Sequence, residues 1–200
     1  MANIDGARGL VPVDPILRVT AYHVPSSYGT ALFIGDPVTQ SGTANTAAVL
    51  GADGDYAIGT LNGVIVGVVG TANIIGAIVG FSRHPTDDRS VHKTASTERV
   101  VYVADHPDQR FKIQSDNTAI GAASIGLNAV LISGTGSATT GQSGFELDGG
   151  TSTAPAADAT YQLHILASSK DPLRNDTTLA NNEVIVRINQ HGLANNEVGL

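Results

Sequence analysis

The chain contains no cysteine and no tryptophan, one methionine, four phenylalanines and five tyrosines among 200 residues. Without thiols, disulfides, Cys-ligated zinc and thiol catalysis are excluded, and the compartment is left open. With so few aromatics, a core of the size such a chain can bury must be built from Val, Ile, Leu and Ala. Charge is also sparse. No charged residue occurs from Tyr56 to Ser82, and no Lys or Arg from Ile113 to Ser169. The convergent acids, bases and ligands that enzymes need are therefore few. The net charge is −7 and no basic block exists, which argues against nucleic acid, where phosphates demand clustered Lys and Arg. It argues equally against an anionic membrane surface. The opening MANIDGARGL has no apolar stretch of the secretory kind.

What is present is a turn-rich β pattern. The apolar stretch Tyr56–Ser82 is long enough to span a membrane, but Gly59, Gly63, Gly67, Gly70, Gly76 and Gly80 interrupt it. Each glycine disfavours a helix by roughly 1 kcal/mol relative to Ala. The stretch therefore reads as two or three buried strands with glycine turns. Further strands are expected at 16–24, 37–40, 99–104, 110–114, 128–133, 161–168 and 183–189, where apolar and polar residues alternate with period two. Pro and Asp in Asp105-His106-Pro107-Asp108 suit a turn, which predicts a hairpin of 99–104 with 110–114. The best helix candidate is a short turn near 117–125. The fold class expected is all-β, an antiparallel sandwich or barrel of short strands with extended N- and C-terminal arms. Residues 1–15 form the first arm, 16–189 the β-rich domain with a possible division near 116–127, and 190–200 the tail. Termini fray unless something holds them, so both arms are expected to lie against neighbouring chains. The hexapeptide LANNEV occurs at 179–184 and again at 193–198, too short to define a repeat unit.

Charge is concentrated at 83–112, which holds six of the eleven basic residues. Its first part, RHPTDDRSVHK, reads as a partner-binding loop. His84, His92 and His106 lie near Asp87, Asp88, Asp105 and Asp108, but the spacing fits no zinc pattern, and no metal is assigned. The loop GTGSATTGQSG lacks the G-x-G-x-x-G and P-loop spacings. Ser143 sits in no nucleophile elbow. Glu146 and Asp148 share one face of a strand, as an exposed polar face would. No catalytic residue and no cofactor is assigned.

Several segments resemble a known family: MANIDGARGLVPV, SSYGTALFIGDPV (26–38), STERVVYVADHPDQRFKIQSD (96–116), GFELDG (144–149), TYQLHILA (160–167) and NNEVIVRINQH (181–191). The resemblance is to the capsid decoration, or cement, proteins of tailed bacteriophages. It implies a β-rich trimer, or another small oligomer, on the outer surface of the virion, made in the host cytoplasm and bound to the major capsid protein. It implies no catalytic residues. On the pattern of apolar and basic side chains, the residues expected to touch the capsid are Ile4, Arg8, Leu10, Val11, Arg83, His84, Arg89 and Lys93. Those expected at the contacts between copies are Ile74, Ile78, Phe81, Leu193, Val198 and Leu200. The alternative is a carbohydrate-binding β-sandwich or another virion surface or fibre protein, which would need exposed tyrosines. A third class, a small β-barrel hydrolase, has no set of residues to support it.

Overall fold

The computed structural model describes residues 3–45, 49–50, 57–58, 61–67, 73–83, 89–170 and 175–194. Among them the chain is all-β, with one 3-10 turn at Ala122–Ser124 inside the short segment expected to be helical. In chain order the strands are β1 (Val11–Pro12), β2 (Val19–Val24), β3 (Pro37–Ala44), β4 (Val49–Leu50), β5 (Ala57–Ile58), β6 (Asn62–Val66) and β7 (Gly76–Phe81). They continue as β8 (Arg99–Ala104), β9 (Arg110–Gln114), β10 (Asn128–Ala129), β11 (Leu131–Ile132), β12 (Glu146–Leu147), β13 (Leu163–Ser168) and β14 (Glu183–Ile188). No helix of the described residues is long and apolar enough to cross a membrane.

The first half closes a small barrel in the order β2-β6-β3-β7-β8, with β8 returning to β2. One pairing, β2 with β6 at His23 and Gly63, is parallel; the others are antiparallel. Five strands leave no lumen, so side chains fill the interior. They are Tyr22, Val24, Val38, Val64, Ile78, Val101 and Val103, with Leu32 and Ile75. The second half forms an antiparallel sheet in the order β1-β9-β14-β13-β10. Along β14, Val184, Val186 and Ile188 are buried while Glu183 and Ile185 are half-buried and Arg187 is exposed, the alternation expected of a sheet with one covered face. Its inner face meets barrel residues Ile74, Ala77 and Ala104 in one shared core, which also holds Leu10, Phe111, Leu147 and Leu163. Each Leu, Ile or Phe among them contributes roughly 1.5–3 kcal/mol when fully buried.

This shared core corrects two expectations. Strands 99–104 and 110–114 exist but are not a hairpin: β8 pairs with β2 and β7, and β9 pairs with β1 and β14. The Asp105–Asp108 turn carries the chain from one sheet to the other. The chain changes sheet there, and the common core joins the halves. The strand expected at 16–24 is also shorter, since β2 starts at Val19.

The N-terminal arm lies on its own chain. We refer to residues 3–13 as the strap. Val11 and Pro12 pair with Lys112 and Phe111 on β9; Pro12 is tolerated because β1 is an edge strand. Leu10 is fully buried in the shared core. Upstream, Asn3 Nδ2 donates to the carbonyls of Asp176 (2.9 Å) and Ala180 (2.9 Å), and its Oδ1 accepts from the Asp176 amide. Gln114 clamps the strap between these ends: its Nε2 donates to Ile4 O at 2.7 Å and its Oε1 accepts from Gly6 N at 3.0 Å. At the tail, Ile74 N donates to Gln190 O and Gly192 N to Ile74 O, so residues 190–192 lie along the barrel as well.

The tightest point is where the strap crosses the turn Phe33–Asp36. Leu10 N donates to Gly35 O at 2.9 Å, and Gly9 N to Phe145 O at 3.2 Å. Gly9 and Gly35 have φ of +65° and +94°. A Cβ on Gly9 would lie 2.2 Å from Gly35 O, and one on Gly35 would lie 1.9 Å from Arg8 O. Both the left-handed backbone and the missing side chain are required. Gly9→Ala or Gly35→Ala is expected to lower unfolding free energy by roughly 2–5 kcal/mol, combining left-handed strain with overpacking. Gly42 also has a positive φ but has open space around its Cβ position, so Gly42→Ala should lose only about 1–2 kcal/mol. Urea melts of the three variants check this; equal losses at all three would show that the crossing is not tight.

Candidate functional site

Two cations that follow β7, Lys93 and Arg99, are turned inward. Lys93 is 0% exposed. Its Nζ donates to Tyr28 O (2.9 Å) and Thr30 O (3.1 Å) and stands 5.0 Å from the centre of the Tyr28 ring. Its backbone pairs with Leu32 in both directions at 2.9 Å. Burial alone holds the ammonium down at about 8, because a charged group leaving water is disfavoured. Arg99 is buried too. It donates to the carbonyls of Ser82, Ser90 and His92 and lies over the Phe81 ring at 5.0 Å. These two cations fasten the segment to the barrel wall.

Lys93 is therefore corrected from capsid contact to internal clamp. Leu10 is likewise core rather than contact surface. Ile74 and Ile78 are fully buried within their own chain, Ile74 in the shared core and Ile78 in the barrel, so neither is a surface contact. The reason is common to all four: the barrel and sheet need apolar filling, and a buried cation finds carbonyl acceptors in the turns beside it. Phe81 and Leu193 are half-buried against the barrel core. Arg8, Arg83 and Arg89 are exposed, Val11 is half-buried, and Ile4 is 83% exposed. His84, Val198 and Leu200 lie outside the described residues. Among the described residues no three His, Asp or Glu side chains are arranged to hold a metal ion.

A surface that sequence reasoning missed lies at the start of β2. Ile16, Leu17 and Val19 are exposed, Leu17 at 54%. Ala21 on β2 is the cross-strand partner of Tyr102 on β8, and Gly80 on β7 is the partner on the other side. The two small residues leave the Tyr102 ring standing outward, 37% exposed. Val19, Ala21 and Tyr102 share the outer face of the barrel by the period of two. The only sequence signal was the apolar pair Ile16-Leu17 ahead of an alternating strand.

This surface is held firmly. Leu17 N donates to Gln109 Oε1 at 2.9 Å. Arg18 donates from Nε to Asp105 Oδ1 and from Nη2 to Asp105 O, both at 2.7 Å. Tyr22 OH donates to Asp105 Oδ2 at 2.8 Å; burial and this carboxylate push the phenol well up. The apolar side chains are thus presented on a backbone tied to buried Asp105 and Gln109.

Under the strap, Asp36 is buried and accepts from Phe33 N at 2.8 Å. Burial raises its carboxyl to about 6, against the opposing pull of hydrogen bonds from Ser143 and Phe33.

No family model matches the chain, no curated protein matches it, and no solved structure matches its fold.

The Asp36 carboxyl gives a pH prediction whose sign is fixed. Its folded pKa lies above the unfolded value of 3.8, so the folded state binds the extra proton between those limits. Stability is full below about pH 4 and falls as pH rises through 6. Denaturant melts at pH 4 and 7.5 should show that Asp36→Asn loses less stability over this range than wild type, by roughly 1–3 kcal/mol. An identical loss in both proteins would rule out an Asp36 contribution.

Proposed function

We propose that this chain is a capsid decoration protein. It binds the outer surface of a tailed-phage head and stabilises contacts between major capsid protein subunits, acting as a small oligomer, a trimer on the family resemblance. It works by binding, with no catalytic residue and no cofactor. The observation that supports this most is the exposed apolar surface of Leu17, Val19 and Tyr102 on a backbone fixed by Asp105 and Gln109. Exposed apolar groups that are clustered mark interaction sites, and fixing them in advance lowers the entropy lost on binding.

The role suits the rest of the molecule. Repeated copies on a shell gain avidity, since each contact made raises the effective concentration of the next. A net charge of −7 keeps the protein away from packaged or free DNA. Exposed Arg83 and Arg89 add rim contacts of the screened, weak kind. The glycan-binding alternative rests on Tyr102, whose ring could stack on a sugar; Tyr22 is buried, and Tyr28 and Tyr161 are half-buried.

Leu17→Asp combined with Val19→Asp should reduce occupancy on expanded empty capsids about tenfold or more, a loss of 1.4 kcal/mol or greater. Both positions are exposed, so the melting temperature should hold. Arg83→Ala with Arg89→Ala should weaken occupancy at low salt only. Sedimentation of capsids with labelled protein measures both. Unchanged occupancy for the Leu17 and Val19 pair, alongside loss for Tyr102→Ala on a glycan array, would favour the sugar-binding reading instead.

A further inference from the structure

We propose that Asp5, Asp116 and Glu146 form a proton-operated latch on the strap: a proton held at Glu146 keeps residues 4–9 seated, and its release loosens them. The geometry begins with the register. Ser115 bridges Leu147 in parallel, and Asp116 N donates to Leu147 O at 3.0 Å. Leu147 points into the core, so its neighbour Glu146 shares the opposite face with Gln114 and Asp116. The strap runs over that face. Gln114 holds it at Ile4 and Gly6, and Phe145 O holds it at Gly9. Asp5 therefore sits between two anchors, above a glutamate and a buried aspartate.

Asp116 supplies an independent sign that this place wants a proton donor. Its Oδ1 accepts from Thr118 N (2.9 Å) and Gly149 N (3.1 Å). Its Oδ2 is buried and has no hydrogen-bond partner. A carboxylate oxygen can only accept, and protonated Glu146 carries an O–H donor on the same face. The charges acting on Glu146 are both negative: Asp5 from the strap and Asp116 from the segment after β9. Its partner on β11, Ile132, is neutral. Asp148, two residues along, is occupied by the amides of Gly150, Ser152 and Thr153. Lys112 on β9 is engaged by Glu183 at 2.9 Å, and Arg8 on the strap is exposed. Burial first, and then the two carboxylates, lift Glu146 to about 7. Below that pH Glu146 is neutral. Above it Glu146 adds its own negative charge to the face over which the strap carries Asp5, and the strap is the element that loosens.

The behaviour belongs to the isolated chain and stands apart from the capsid reading. Hydrogen exchange of the Gly6 and Gly9 amides, corrected for intrinsic pH dependence and referenced to Val186, tests it in the full chain. Between pH 5.5 and 8.5 the wild-type strap should lose about tenfold in protection, one unit of differential proton binding after allowance for the partial exposure of Glu146. Glu146→Gln should stay within twofold, and Asp5→Asn should lose less than wild type. A pH-independent wild-type strap would overturn the latch, as would an equal loss in Glu146→Gln. Restoration at pH 8.5 by millimolar calcium alone would overturn it too, by assigning the trio to a cation.

Discussion

At Gly9 and Gly35 two backbones cross without room for a single methyl group. The other long-range features of the molecule are arranged around that contact. It fixes the strap against the turn leading into β3, and so sets Leu10 into the core shared by barrel and sheet. Ser143 also donates to Ile34 O, and Gly9 to Phe145 O, so the segment running into β12 joins the same crossing. Three parts of the chain distant in sequence meet there through main-chain hydrogen bonds. Such contacts tolerate almost no substitution, because atoms of the backbone cannot turn aside as a flexible side chain would.

Once the strap is seated, the two halves of the chain behave as one core. Barrel residues Ile74, Ala77 and Ala104 belong to the same cluster as Phe111 and Val186. The outer surface is then left to polar staples. Asp105 receives Arg18 and Tyr22, and Gln109 receives Leu17 N while donating from Nε2 to Val13 O. The turn between β8 and β9 thereby holds both the start of β2 and the end of the strap, and the apolar side chains around Leu17 have fixed positions. A binding face of this kind loses little order when a partner covers it.

The alternation in β14, β8 and β9 could be read directly, because period two survives wherever one face is buried. The turn at Asp105–Asp108 could be read as well, but not which sheet each flanking strand joins. Turn chemistry is local, whereas pairing depends on distant partners such as Val184 and Tyr22. Ile74 and Ile78 were legible as buried strand residues; whether they bury against their own chain or a copy is a matter of tertiary arrangement that composition does not encode. Lys93 was illegible for a different reason. A lysine in a charged loop reads as a surface contact, and only the folded chain brings the Tyr28 and Thr30 carbonyls to its ammonium. That Tyr102 stands outward was not legible, because the small residues flanking it, Ala21 and Gly80, come from other strands.

The central claim is that a strap-locked β body presents one fixed apolar face to a capsid shell. The most direct measurement is a cryo-EM map of expanded capsids saturated with this chain, at a resolution that shows side chains. Leu17, Val19 and Tyr102 should be covered by the major capsid protein, with the strap still crossing its own Gly35. A map in which this face points to solvent, or in which residues 3–13 leave their own body to lie on a neighbour, would contradict it.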